Sequence, residues 1–310
     1  MIRQFKYRDI TWIDATNPSK EELSSLVRDF NIHSLVENEL SEPSKRSHVD
    51  PYENYIYLVL QFPSCRFCFG KEKDGDIKND TQEIDFIAGK DFLITIHYEP
   101  IQALEEFGQI FEANLKNVTD KDIHTGYLLF EILIQMYRSL DTALVFLSDE
   151  LKRAERNIFE GKEREMVVVL SKINHELLDS AWSLQAHEEV LVALENAGGE
   201  FFGKNFRIYL KRVTNIERRI FSALTNLRDT YTELRTTNDS LLTIKTNEIM
   251  KVLTIMAFTT FPLTVFTSTF GMNTVNNPIL GMPYDFWIIV GIMLAAVATM
   301  FTFFRYKRWF

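Results

Sequence analysis

Two apolar runs near the C-terminus decide the fold. They are Ile249–Phe270, IMKVLTIMAFTTFPLTVFTSTF, and Phe286–Phe304, FWIIVGIMLAAVATMFTFF, with Gly271-Met272-Asn273 opening the link between them. Each is close to the ~20 residues a helix needs to cross ~30 Å of hydrocarbon. The link, residues 271–285, is short enough to make the pair a transmembrane hairpin, and its only charge is Asp285. The flanks carry Lys245 before the first run and Lys251 at its start, and Arg305, Lys307 and Arg308 after the second. The positive-inside bias then puts this basic collar and both termini in the cytoplasm and residues 271–285 outside the plasma (inner) membrane.

The remainder reads as soluble. Mean hydropathy over the 310 residues is -0.10, which excludes a chain that crosses the membrane throughout. Met1 to Asp14 is charged and lacks the apolar core of a signal peptide. The net charge is -9, and residues 246–310 hold four basic against two acidic side chains, so the soluble part carries -11. That balance speaks against a nucleic-acid partner and favours cations. Cys65 and Cys68 form a single Cys-Arg-Phe-Cys pair. A zinc centre needs four ligands and no second pair follows, so ordinary reduced thiols are expected. The Asn-x-Ser/Thr triplets at Asn79, Asn117 and Asn238 fall on the cytoplasmic side and read as chance matches.

Residues 1–100 are expected to form a mixed α/β domain of the α+β class. Tyr55–Phe62, Glu83–Ala88 and Phe92–His97 are rich in β-branched and aromatic residues, with a turn at Gly89-Lys90. Asn17-Pro18-Ser19-Lys20-Glu21-Glu22 reads as a helix start. The polar segment Lys71 to Thr81 reads as a loop. Residues 101–200 form a helical hairpin region, Thr125–Glu160 and Lys162–Glu195 being joined near Gly161. Gly198-Gly199 is expected to close the second helix. The run from Gly198 to Asn205 nearly fits a phosphate-binding loop, but Asn205 stands where a Ser or Thr would hold Mg2+, so a glycine cap is the reading.

Residues 201–270 lack glycine between Gly203 and Gly271 and read as a stalk helix running on into the membrane. Such a helix of ~65 residues would span ~100 Å. A break at Thr236-Thr237-Asn238-Asp239-Ser240 is the alternative. Residues 286–304 supply the second membrane helix and 305–310 a basic tail.

One hairpin cannot enclose water, so conduction requires several copies around an axis. The first apolar run is the better pore lining, because Thr254, Thr259, Thr260, Thr264, Thr267, Ser268 and Thr269 punctuate it. Helix-to-helix adhesion is the competing account of those hydroxyls. Steps of three and four place Asn247, Met250, Leu253, Ala257, Phe261 and Thr264 on one face, polar at both ends and apolar between. In a ring of copies this would be a hydrophobic constriction that gates by excluding water. Pro262 frees the carbonyl of Phe258, a candidate ion contact or simply a kink. No carboxylate lies in the run, which argues against a cage for a bare ion. Mg2+ keeps its waters, and a ring of Asn273 amides suits a hydrated ion. The membrane potential gives a divalent ion about 4.6 kcal/mol per 100 mV, so no ATP machinery is needed.

Asn247 to Thr254, Phe261-Pro262-Leu263-Thr264, Gly271-Met272-Asn273 and the closing Lys307-Arg308-Trp309 resemble the CorA family of magnesium transporters. Weaker echoes lie at Trp12-Ile13-Asp14, Glu37-Asn38-Glu39-Leu40, Tyr52–Leu60 and Phe92–His97, so the likeness spans the chain. It implies a homopentamer in the lipid bilayer that admits Mg2+, with Co2+ or Ni2+ as further ions. It also implies a mouth motif at Gly271, Met272 and Asn273, and the six-residue face above as pore lining. Mg2+ is then both cargo and closing signal, at regulatory acidic sites that cannot be matched to residues here. No organic cofactor and no enzymatic activity are implied.

Two departures stand out. The link has no Glu where relatives carry an acidic Met-Pro-Glu-Leu loop, leaving Asp285 as the substitute. Phe270 replaces the usual Tyr before the motif. A zinc-transporting member of the same fold, disfavoured by Met272, and a non-transporting membrane-anchored scaffold are the rival readings. The six histidines are scattered, and no nucleophile with a base supports an enzyme.

Overall fold

The computed structural model describes residues 1–44, 46–64, 81–114, 124–272 and 283–307. The chain divides into two compact units, Met1–Arg235 and Thr236–Phe310.

The first unit is built on a six-stranded mixed sheet. β1 (Ile2–Tyr7), β2 (Ile10–Thr16), β3 (His48–Pro51), β4 (Tyr55–Pro63), β5 (Thr81–Gly89) and β6 (Phe92–His97) run in the order β1-β2-β6-β5-β4-β3. Only β2 and β6 are parallel neighbours. The three strands read from sequence are present; β4 and β5 run a residue or two further, and β6 has the expected bounds. β1, β2 and β3 escaped that reading, since each is short and half-polar. α1 (Lys20–Asp29) starts where expected: Ser19 and Glu22 form a reciprocal capping box, with bonds of 2.8 and 3.2 Å.

Alternation along the strands gives the sheet two apolar faces. Ile13, Ala15, Tyr57, Val59, Ile87 and Ile94 pack under α1 and α2 (Ser34–Glu39). On the other face Phe62 meets Tyr137 of α4 (Thr125–Phe159), and Trp12 meets Phe107 and Phe111 of α3 (Gln102–Asn114).

Beyond residue 101 the described residues are helical or connecting, as expected, but the second long segment is two helices. α5 (Glu163–Leu184) ends at Gln185 and α6 (His187–Phe201) restarts after Ala186. His187 is drawn into the core at this corner, where its ring is fully buried. Gly198 and Gly199 do not end the helix. They lie inside α6, and a Cβ at Gly198 would sit 2.3 Å from Leu210 Cδ1, so glycine permits close packing. The left-handed turn falls to Gly203, at φ 105°.

α7 (Arg207–Phe270) is a single 64-residue helix, with no break at residues 236–240. The polar run is absorbed because its hydroxyls turn back on the helix. Ser240 Oγ donates to Thr236 O at 2.8 Å, Thr243 Oγ1 to Asp239 O at 2.8 Å and Thr246 Oγ1 to Leu242 O at 2.9 Å. Asn238 is only 1% exposed, which disposes of its glycosylation triplet. In the first unit α7 buries Leu210, Val213, Glu217, Ile220, Leu224, Tyr231 and Leu234, with Leu227 half-buried, so the steps are of three and four. That 3.5-residue repeat is the seam of a coiled coil.

The second unit contains the end of α7 and α8 (Asp285–Tyr306), which overruns the expected 286–304 at both ends. Cys65, Cys68, Asn79, Asn117, Asn273, Arg308 and the expected loop from Lys71 lie outside the described residues.

Candidate ion path

The second unit exposes an apolar surface that water would not tolerate. Val252 (51%), Phe258 (62%), Phe261 (71%), Trp287 (68%) and Leu294 (66%) are all open on the single chain. Both helices are long and apolar enough to cross a membrane. Contiguous exposure on this scale marks a lipid or subunit contact.

Backbone polar groups must be satisfied within such a segment. The threonines meet the same requirement locally. Thr254 donates to Met250 O at 2.7 Å, Thr259 to Ile255 O at 2.8 Å, Thr260 to Met256 O at 2.9 Å and Thr264 to Thr260 O at 3.0 Å. The hydroxyl protons therefore need no partner beyond their own helix. This removes one argument for a pore, since these residues are admissible in lipid without facing water. α7 also continues through Pro262 without interruption.

The distribution of exposure is the stronger observation. Between Asn247 and Phe270 the half-buried residues are Lys251, Thr254, Ile255, Thr259, Pro262, Leu263 and Phe270. Apart from Thr254 they share one stripe. On α8 the less exposed residues step through Asp285, Ile289, Met293, Ala296, Met300 and Phe304, again one stripe. Each of the two helices is thus less exposed along one side than along the other. At ~100° per residue, Met250, Leu253, Ala257, Phe261 and Thr264 point roughly 140–180° away from the half-buried stripe of α7, and Asn247 about 100° away. All six are exposed. The six residues read from sequence lie on the more exposed side of α7.

At the far end of α7, Gly271 N–H donates to Thr267 O at 2.8 Å, and a Cβ there would lie 3.0 Å from that same carbonyl. Glycine lets the chain leave the helix without pressing on it. Met272 is 57% exposed. Asp285 does not project as a free loop acid. It opens α8, its Oδ1 accepts from Phe286 N–H at 2.7 Å, and its charge suits the helix N-terminus. Arg305 sits in the last turn of α8, where a cation is favoured; it and Lys307 are exposed, and Lys251 is half-buried.

The soluble unit hides acids that sequence gave no sign of. Asp85 is fully buried, and burial followed by the Glu83 charge pushes its carboxyl well up. Tyr57 Oη donates to its Oδ1 at 3.2 Å. Asp14 Oδ1 accepts from Thr95 Oγ1 at 2.8 Å and lies 3.2 Å from His97 Nε2. Register could have found these: Glu83 and Asp85 share a strand face with Ile87. Among the described residues no group of three or more His, Cys, Asp or Glu side chains is placed to hold a metal ion.

An α/β domain followed by two helices long and apolar enough to cross a membrane defines the class of protein. The chain matches the family model described as CorA-like Mg2+ transporter protein over residues 7–308, and it belongs to that family. It is similar to the cobalt/magnesium transport protein CorA of Thermotoga maritima, at 24% identity over 99% of this chain and 89% of the relative. The cobalt/magnesium transport protein CorA of Methanocaldococcus jannaschii is 26% identical over 97% of this chain and 91% of the relative. The complete structure of the magnesium transporter CorA from Methanocaldococcus jannaschii superposes with a TM-score of 0.81 at 23% identity, covering 99% of this chain and 93% of that one. That likeness fixes the fold.

Proposed function

We propose that this chain is one subunit of a homopentameric channel in the plasma membrane. It admits hydrated Mg2+, and Co2+ as a second ion, down the membrane potential, and it closes when cytoplasmic Mg2+ rises. Residues 271–285 face outward and both termini face the cytoplasm. The observation that carries this reading is the exposed face from Asn247 to Thr264, set opposite the half-buried stripe of α7. Five such faces enclose an axis that is polar at both ends and apolar between, the form of a dewetting gate. Asn273 meets the ion through its water shell, consistent with the reluctance of Mg2+ to dehydrate. The -11 charge of the cytoplasmic part supports a closing signal carried by cations.

Expression in cells lacking magnesium uptake tests it. The wild-type chain is expected to restore growth at low Mg2+ and to conduct Mg2+ in liposomes. Asn273→Ala is expected to cut that flux by about 10- to 100-fold, the usual cost of removing a partner beyond the first coordination shell. Zn2+ flux without Mg2+ flux would assign the chain to zinc instead. A strictly monomeric chain in lipid would end the proposal.

A further inference from the structure

The packed seam of α7 carries a carboxylate where an apolar side chain belongs. Glu217 lies between Val213 and Ile220 in that seam, and 2% of it is exposed. Its Oε2 is buried with no hydrogen-bond partner. Burial without a partner favours the neutral acid over the ion.

The groups around it decide which form the site accepts. α4 contributes Tyr137, α6 contributes Glu188 and His187, and α7 itself contributes Arg218. His187 Nε2 lies 2.9 Å from the carbonyl oxygen of Gln61, which can only accept, so that nitrogen carries the hydrogen. Burial holds the ring down to about 4, so it is neutral and Nδ1 is bare. Tyr137 must then give its single hydroxyl proton to Nδ1, at 2.8 Å. It has none left for Glu217. Arg218 is engaged as well, its Nε donating to Glu188 Oε1 at 2.8 Å. One turn earlier, Thr214 Oγ1 is committed to Glu195 Oε1 at 2.8 Å. Apart from the Nη groups of Arg218, whose side chain is half exposed, an ionised Glu217 finds no uncommitted donor among these neighbours.

We propose that proton binding at Glu217 sets how firmly the stalk helix is held against α4 and α6. The neutral acid seats in the seam; the carboxylate draws water in and loosens that stretch of α7. Burial first, then the Glu188 charge, push this carboxyl from its ordinary 4.5 up to about 7, with Arg218 opposing. The folded state therefore holds a proton that the unfolded state has released. Stability from this group is full below about pH 4.5, falls as pH rises through about 7, and then levels. α7 continues to Phe270, so the change arises on the helix that carries the proposed ion path. That last link rests on the channel reading, whereas the test does not.

Hydrogen exchange on the full chain in lipid nanodiscs, read over residues 207–235 at pH 6 and pH 8 and corrected for intrinsic rates, decides it. The opening equilibrium of the wild type is expected to rise about tenfold between the two. Glu217→Gln, which mimics the neutral acid, is expected to be flat. Should that variant misfold, Glu217→Leu fills the same seam and is expected to be flat too. A wild type without the rise, or a rise that survives both substitutions, overturns the proposal.

Discussion

Aspartate in place of Leu253 is expected to hold the channel open. Divalent flux should rise on the order of 10- to 1000-fold and no longer fall when Mg2+ is added inside, because a lining of one sign concentrates counter-ions by that factor. Leu253 is 54% exposed on the free chain and lies mid-face between the polar positions Asn247 and Thr264. In the proposed ring its copies meet as an apolar girdle. Such a girdle blocks ions by keeping water out, so a carboxylate in each subunit removes the barrier and attracts cations together. Leu253→Ser separates the two effects. It wets the girdle without charge and should give a smaller leak, whereas equal leak in both would mean that wetting alone is limiting. Flux into liposomes loaded with Mg2+ on the cytoplasmic side provides the measurement. Unchanged conductance in Leu253→Asp would show that this face does not line the path.

What the sequence revealed follows from which signals are local. Two long apolar helices, the unbroken stalk and three sheet strands declare themselves through composition and period. The six residues from Asn247 to Thr264 share a helix side by numbering alone, and their pore role stays a proposal. Other features depend on what lies across from a residue. Gly198 and Gly199 look like a stop, yet they lie inside α6, where Leu210 comes against Gly198 and Arg207 against Gly199. Thr236 to Ser240 looks like a break, yet Ser240 donates to Thr236 O and Thr243 to Asp239 O within the helix. Ala186 gives no sign of a corner, which His187 fixes by reaching Gln61 and Tyr137. Asn273, the residue most strongly marked by resemblance, lies outside the described residues and rests on sequence alone.

The soluble unit offers the sharpest test of folding. Trp12→Ala is expected to destabilise it by about 3–5 kcal/mol. At 1% exposure Trp12 is among the most completely buried large side chains of the chain. Its ring stacks on Phe5 at 4.6 Å and meets Phe107 at 5.5 Å and Phe111 at 5.7 Å, tying α3 to the first two strands. Its Nε1 also donates to Thr95 Oγ1 at 3.0 Å, and that hydroxyl in turn donates to Asp14. Truncation therefore leaves a cavity between α3 and the sheet, and it unseats a buried polar chain that ends at His97. Trp12→Phe should recover most of the packing and none of the hydrogen bond, losing about 1 kcal/mol for the bond plus the smaller void. Thermal unfolding of the full chain should fall by roughly 6–20 °C for Trp12→Ala, at about 2–4 °C per kcal/mol for a unit of this size. Equal losses in the two variants would place the weight on the hydrogen bond, and no loss in either would mean that α3 is held by other contacts.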